Sequence, residues 1–531
     1  MMKSNKQDTD FFPLADSERS KSFWIKFTEN RRLCLWGIAL ASCSLVRGYE
    51  TSFVGNISGE PAFKLMFGTP DPSGDGSYII PTIWLSLWSA SSAIGSLTGS
   101  LIGGWSQDAV GRKWTIGVAG VMQAVTVTIS YLADQAATTN ARGGIYFVGK
   151  VSQGMAMGAM MCTAQAYISE VLPPLIRGSV VSTLAPFAVL GQIIAALVIK
   201  SQEDIMEPIA YRLPMATQWI ISAIPLVLVI FLPESPAWLM RKGRFHQARE
   251  ACLKLEGPKM PDDGNNAYDR LRVDIARESE DGSKFNEISY LDLFRKRSDA
   301  RRTMIVLFAS TIPELFGLPL FGHTTYFAEL LGMKAGQATT LYICGAVGGF
   351  LFSVLGFYLL TRVGRRRLLV FGLTPIALLW LAMGIAACFK SASIAWFVGV
   401  VMAINICIAS AGPWPASYAV VGEASTLKLK AKTAGLAWFT NYLTGGVFSL
   451  FLPYIYNSDQ GNLGGKIGLV YAGFTGFAAI ACWLFVPEMK DRSHIELDEM
   501  FEAKLSTRKF RSYSGHAAVP EEEYPLRHVS S

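Results

Sequence analysis

Long apolar runs alternate with short polar breaks along most of this chain. A helix needs about 20 apolar residues to cross the hydrocarbon core of a bilayer. Twelve segments approach that length, near 33–55, 80–104, 114–134, 144–166, 179–199 and 214–232, then near 303–328, 340–361, 368–388, 394–419, 433–455 and 467–486. The pattern predicts an all-α membrane protein of twelve transmembrane helices in two six-helix halves, 33–232 and 303–486. A polar linker, 233–302, separates the halves, and polar tails, 1–32 and 487–531, flank them.

Charge in the breaks sets the orientation. Even-numbered loops hold Arg112 and Lys113, Arg177, Arg362 with Arg365 to Arg367, and Lys428, Lys430 and Lys432. Odd-numbered loops, such as 57–78 with Glu60, Asp71 and Asp75, are poor in Lys and Arg. The positive-inside rule then puts the basic loops, the linker and both tails in the cytoplasm. Met1 to Arg32 is polar, so the first apolar run is expected to act as an uncleaved signal anchor.

The halves also echo each other. Gly364-Arg365-Arg366 repeats Gly111-Arg112-Lys113 after 253 positions, and Glu423 with Lys430 repeats Glu170 with Arg177 at the same offset. Pro487-Glu488 follows Pro233-Glu234 by 254. Parallel repeats related by an axis along the membrane normal are a transporter architecture.

Within the linker, Phe245–Leu255 and Asp269–Glu278 mix apolar and charged residues at helical spacing, as amphipathic helices under a membrane domain would. Ile495 to Phe501 has the same character. The composition, 51% hydrophobic and 17% charged, excludes an ordinary soluble protein. The net charge of +7 sits mostly in loops, so it does not imply nucleic-acid binding. Arg295-Lys296-Arg297 is a solvated loop or a contact for lipid headgroups. The eight cysteines lack metal-ligand spacing, and no nucleophile–base pair or phosphate loop occurs, so neither a metal, a cofactor nor an enzyme is expected. Asn56-Ile57-Ser58 is a glycosylation sequon on the expected outer side.

Several short motifs carry a family resemblance. They are Gly48-Tyr49-Glu50, Gly104 with Asp108 and Gly111-Arg112-Lys113, Tyr167-Ile168-Ser169-Glu170 with Arg177-Gly178, Pro233-Glu234-Ser235-Pro236, Gly364-Arg365-Arg366, Gly422-Glu423 with Lys430-Ala431-Lys432-Thr433, and Pro487-Glu488. In this order the chain resembles the sugar porter family of the major facilitator superfamily (MFS). Pro61-Ala62-Phe63, Gly191-Gln192 and Thr325-Tyr326-Phe327 look most like its fungal α-glucoside (maltose) permease branch. The resemblance implies the MFS fold and alternating access around a midplane site, commonly with proton coupling. The expected partners are a small solute, a sugar first of all, together with protons and membrane lipid, with the chain acting as a monomer in a fungal plasma membrane.

In family terms Asp108, Arg112, Glu170, Arg177, Glu234, Arg362, Arg365, Glu423, Lys430 and Glu488 form a cytoplasmic gate. Oppositely charged groups at those helix ends can join helices when the inside is closed; the bland alternative is a set of solvated charges that only fix topology. Glu50 lies inside an apolar run, where an ionisable group marks function by default. The proton-coupled members usually have Asp there, and Lys150 stands where the family has an Arg partner. Glu50 and Lys150 are therefore the candidate proton couple, unless Arg47 neutralises Glu50 permanently.

The substrate site departs from the family. The amide-rich motif of the seventh helix is replaced by Pro313-Glu314-Leu315-Phe316-Gly317-Leu318-Pro319, and of two polar positions in the fifth helix only Gln192 remains. Tyr418 keeps an aromatic platform position with Trp414 one turn before it, and Asn441 keeps a polar one in the eleventh helix. Glu314 and His323 lie nine apart in the seventh helix; either both are satisfied locally, or they build a site for a less hydroxylated or cationic ligand. Two rival functions remain. One is a porter or exporter of a non-sugar metabolite. The other is a non-transporting sugar sensor, for which the 43 residues after Glu488 make a short tail.

Overall fold

The computed structural model of the chain describes residues 28 and 30–512, less 71–77, 173–179, 182, 204, 257–267, 269–270, 272–290, 390–392, 425–429, 458 and 491–493. Helix occupies each of the twelve predicted segments. In the first half these are α1 (Arg31–Ala41) with α2 (Cys43–Ile57), then α4 (Thr82–Ala109), α5 (Arg112–Tyr131), α6 (Thr139–Val171), α7 (Leu184–Lys200) and α8 (Ile209–Phe231). A short helix, α3 (Pro61–Phe67), follows α2, and two residues on either side of the next loop pair as an antiparallel ladder, Thr69 opposite Ile79.

The linker contains α9 (Pro236–Arg241), α10 (Phe245–Glu256) and α11 (Asp292–Arg295). Thus the first predicted amphipathic helix is present, while most of Asp269–Glu278 lies outside the described residues. In the second half come α12 (Arg297–Leu315), α13 (Leu318–Gly322), α14 (Thr324–Leu330), α15 (Ala335–Arg362), α16 (Arg365–Ala386), α17 (Ile394–Ala411) with α18 (Pro413–Glu423), α19 (Lys430–Tyr456) and α20 (Ile467–Phe485). The terminal amphipathic helix is α21 (His494–Glu502).

Among the described residues, seven helical stretches are long and apolar enough to cross a membrane, two of them, Arg297–Gly322 and Ile394–Glu423, running through a break between helices. Others fall short for readable reasons. The first segment carries Arg47 and Glu50, α7 has only 17 residues, and α4 and α6 are rich in Gly and Ser. Those small residues lie where the two helices touch. Gly95, Gly99 and Gly103 recur every fourth position, and a β-carbon at Gly99 would sit 2.0 Å from the Met155 carbonyl oxygen. Lipid tails are as apolar as leucine, so helix association in a bilayer relies on such close backbone approach.

The seventh segment corrects the sequence reading. It is three helices rather than one, because Gly317 turns left-handed (φ +106°) and Pro319 restarts the chain as α13. Glu314 and His323 therefore do not share a helix: Glu314 ends α12, and His323 sits between α13 and α14.

The halves meet along α4 with α19 and α7 with α15. At the end opposite the basic loops they are also joined by polar bonds. Lys64 pairs with Glu329 at 2.5 Å, Thr325 Oγ1 donates to Asn56 Oδ1 at 2.5 Å, and Asn457 Nδ2 donates to Thr82 Oγ1 at 2.7 Å. Asn56 is 1% exposed, so the sequon is sealed into this seam and is no glycosylation site in this conformation. Beside it α2 touches the α13–α14 junction through Gly55, where a β-carbon would meet the Gly322 carbonyl oxygen at 2.0 Å. Overpacking of this kind costs about 1–3 kcal/mol. Gly55→Ala is expected to disfavour closure at this end, raising alkylation of a cysteine placed at the buried Ser58 by roughly tenfold; an unchanged rate would contradict the seam.

Candidate functional site

Glu50 on α2 and Lys150 on α6 are buried charges of the first half. Lys150 of α6 donates from Nζ to Glu50 Oε1 at 2.9 Å, and the two residues are 0% and 3% exposed, Lys150 the more enclosed. The ammonium also lies over the rings of Phe53 at 4.6 Å and Tyr146 at 5.4 Å. A buried cation between one carboxylate and two aromatic faces is held electrostatically from three sides. Glu50 Oε2 has no hydrogen-bond partner among the described residues. Glu50 lines a narrow crevice with Tyr49, Gln123, Gln218 and Ser222. Gln153 Nε2 donates to Gln218 Oε1 at 3.1 Å, and the Gln123 and Gln153 side-chain oxygens have no donor among the described residues. These three glutamines were missed in the sequence; amides within otherwise apolar spans were the signal that could have found them.

Arg47 does not pair with Glu50. It reaches into the second half, with its guanidinium 5.8 Å from the centre of the Trp438 ring and Tyr418, Tyr442 and Glu314 around it. Trp438 stacks on Tyr418 at 5.7 Å and approaches Tyr442 at 5.9 Å.

The candidate substrate residues divide. Asn441 Nδ2 donates to the Ser310 carbonyl at 2.9 Å and reaches Glu314 Oε1 at 3.5 Å, so Glu314 and Asn441 lie together inside the second half. Trp414, one turn before Tyr418 on α18, packs edge-on to Phe316 at 6.5 Å. Gln192 is half-buried on α7, the helix that touches both α2 and α15. His323 is buried at the seam beside Gly55, with Nδ1 unpartnered among the described residues.

At the basic end the two repeats build matching clusters. Arg112 pairs with Glu170 at 2.8 Å and with Asp108 at 3.1 Å. Glu234 Oε1 accepts the backbone N–H groups of Arg112, Lys113 and Ser235 at 2.8, 3.2 and 2.9 Å, capping the N-terminus of α5. Burial raises the Glu234 carboxyl above its ordinary value, against the pull of those three donors and Arg112. In the second half Arg365 grips Glu423 through Nε and a terminal nitrogen at 3.1 and 2.8 Å, and Glu488 accepts the Arg365 backbone N–H at 2.9 Å. Arg362 is exposed, over the Tyr358 ring at 5.7 Å. Arg177 and the Lys430 side chain lie outside the described residues.

These pairs were expected to join helices at the basic end, and they do so, each within its own half; polar bonds join the halves at the opposite end. The reason is geometric: each Arg begins the helix that follows a tight turn, and its carboxylate partners belong to the same repeat.

Residues 36–501 match the family described as "Sugar (and other) transporter". The chain belongs to this family. It is thus a multi-pass membrane transporter of the major facilitator type, and not an enzyme. The transporter is 26% identical over 508 residues to the MFS transporter fmqE of Aspergillus fumigatus, covering 94% of this chain and 92% of that one. It is 28% identical over 527 residues to the alpha-glucosides permease MPH3 of Saccharomyces cerevisiae, covering 96% and 85%. It shares its fold with the inward open conformation of the xylose transporter XylE from E. coli, with a TM-score of 0.70 at 19% identity, covering 87% of this chain and 98% of that one.

Removing one partner of a buried ion pair strands the other. Arg112→Ala is expected to destabilise the detergent-purified transporter by about 3 kcal/mol. Arg365→Ala should cost about 1.5 kcal/mol, because the Glu423 side chain is 32% exposed against 14% for Glu170. Thermal unfolding measures both, and equal or absent losses would contradict this ranking.

Proposed function

We propose that the protein is a proton-coupled secondary transporter that moves a small sugar-related solute inward across a fungal plasma membrane by alternating access. The basic end and both termini face the cytoplasm in this reading. The family and the relatives named for α-glucosides support a sugar-like cargo.

The observation that carries the coupling is the Glu50–Lys150 pair. At membrane depth this pair is stable only while both members are charged. A proton arriving on the free Glu50 oxygen removes the anion and leaves Lys150 held by Phe53 and Tyr146. α2 also carries Gly55 and Asn56, so any shift at Glu50 is passed along one helix to the seam. Loading a proton and a solute from outside, then sealing that seam, gives the order of events; release follows at the basic end.

A second reading keeps the mechanism and changes the cargo to a less hydroxylated metabolite. The apolar replacement of the seventh-segment amides favours it, since a pyranose needs many paired donors and acceptors and unpaired buried polar groups are costly.

In proteoliposomes, a panel of labelled hexoses, disaccharides and polyols run with and without a proton gradient tests the proposal. The wild type is expected to accumulate one solute against its gradient. Glu50→Gln should abolish accumulation and leave solute exchange at zero gradient within about tenfold of wild type, the usual scale of one catalytic proton-transfer group being larger. Undiminished accumulation in Glu50→Gln would overturn the coupling.

A further inference from the structure

The charge that the interior offers to a solute is positive. Arg47 lies near the middle of the first segment and is only half-buried, whereas Glu50, Lys150 and Glu314 are almost wholly enclosed. Among the described residues no carboxylate comes within ion-pair distance of Arg47; the nearest in effect is Glu314, which is already engaged by Asn441. A guanidinium at membrane depth without a carboxylate partner is costly to maintain, and such groups mark solute pathways.

The surroundings of Arg47 are polar groups on aromatic frames. The Tyr418 hydroxyl lies beside the guanidinium, and the Trp414 indole N–H, on the same face of α18, is buried without an acceptor among the described residues. Trp438 and Tyr418 stack on each other with ring centres 5.7 Å apart. A neutral sugar's hydroxyls can accept from these groups but bring the guanidinium no countercharge. A carboxylate brings acceptors alone, in the fork geometry a guanidinium fits.

We infer that the transporter's solute carries a carboxylate, as a sugar acid or a hydroxylated ring acid does. Arg47 takes the carboxylate, the Trp438–Tyr418 stack lines the ring, and Asn441 reaches a hydroxyl. This inference rests on the transporter reading above and names its substrate class.

The test uses the full-length protein in nanodiscs without any proton gradient, so that binding is read apart from coupling. Two matched pairs serve as probes, D-glucuronate with D-glucose and cyclohexanecarboxylate with cyclohexanecarboxamide, and intrinsic tryptophan fluorescence reports binding. Each acid is expected to bind about tenfold to a hundredfold more tightly than its neutral counterpart. Arg47→Gln should erase that preference and Arg47→Lys should keep part of it, with monodisperse elution showing that both variants are folded. Should Arg47→Gln fail to fold, loss of the preference on raising the salt concentration with wild-type protein is the substitute readout. Equal binding within each pair, a preference that survives Arg47→Gln, or no binding of either acid at millimolar concentration would each overturn the inference. Preference for acids without proton-driven accumulation would uphold it and sink the coupling; proton-driven accumulation of a neutral sugar would do the reverse.

Discussion

A charge inside a bilayer must be paired, hydrated through a cavity, or expelled, and this constraint organises the molecule. Three acidic or basic groups lie inside the helical bundle on helices of different halves: Arg47 and Glu50 on α2, and Glu314 on α12. Each has a different solution. Glu50 is matched by Lys150 within its own half. Glu314 leans on an amide from α19. Arg47 crosses to the aromatic surface of the other half. One helical turn of α2 thus carries two charges committed to opposite halves of the bundle.

The charges at the basic end play a different part. Their pairs fall inside each repeat, and their carboxylates cap the helices that start with Gly-Arg. Each cluster therefore ties three helices of its half to the polar segment that follows it. Exposed ion pairs are worth little, about 0–1 kcal/mol, but the Arg112 side chain is only 5% exposed and its contacts are mutually supporting. Rigid halves are a precondition for alternating access, because a soft half would absorb the motion that has to be passed to the other end.

Much of the fold was legible from the chain. The twelve apolar segments, the repeat offset and the first linker helix each correspond to observed helices, since helix length against bilayer thickness is a strong constraint. The break at Gly317 was not read: Pro313, Gly317 and Pro319 interrupt the run 303–328, but only a backbone dihedral separates a bent helix from three short ones. Glu50 with Lys150 could be paired from the family resemblance. The fate of Arg47 could not, because residues 47 and 50 are neighbours in any helical projection, and their divergence depends on which half supplies the better partner. The outer seam was hidden for the same reason, with Lys64 and Glu329 lying 265 positions apart in the chain.

The central claim is that two rigid halves open alternately at either end around a fixed interior. Spin-label distances measured in one sample test it most directly, between the exposed positions Met206 and Lys334 at the outer end and between Lys242 and Arg367 at the basic end. The account predicts two populations whose distances move in opposite senses, the outer pair lengthening as the basic pair shortens. Two distances that rise and fall together, or that stay fixed across pH and solute conditions, would contradict it.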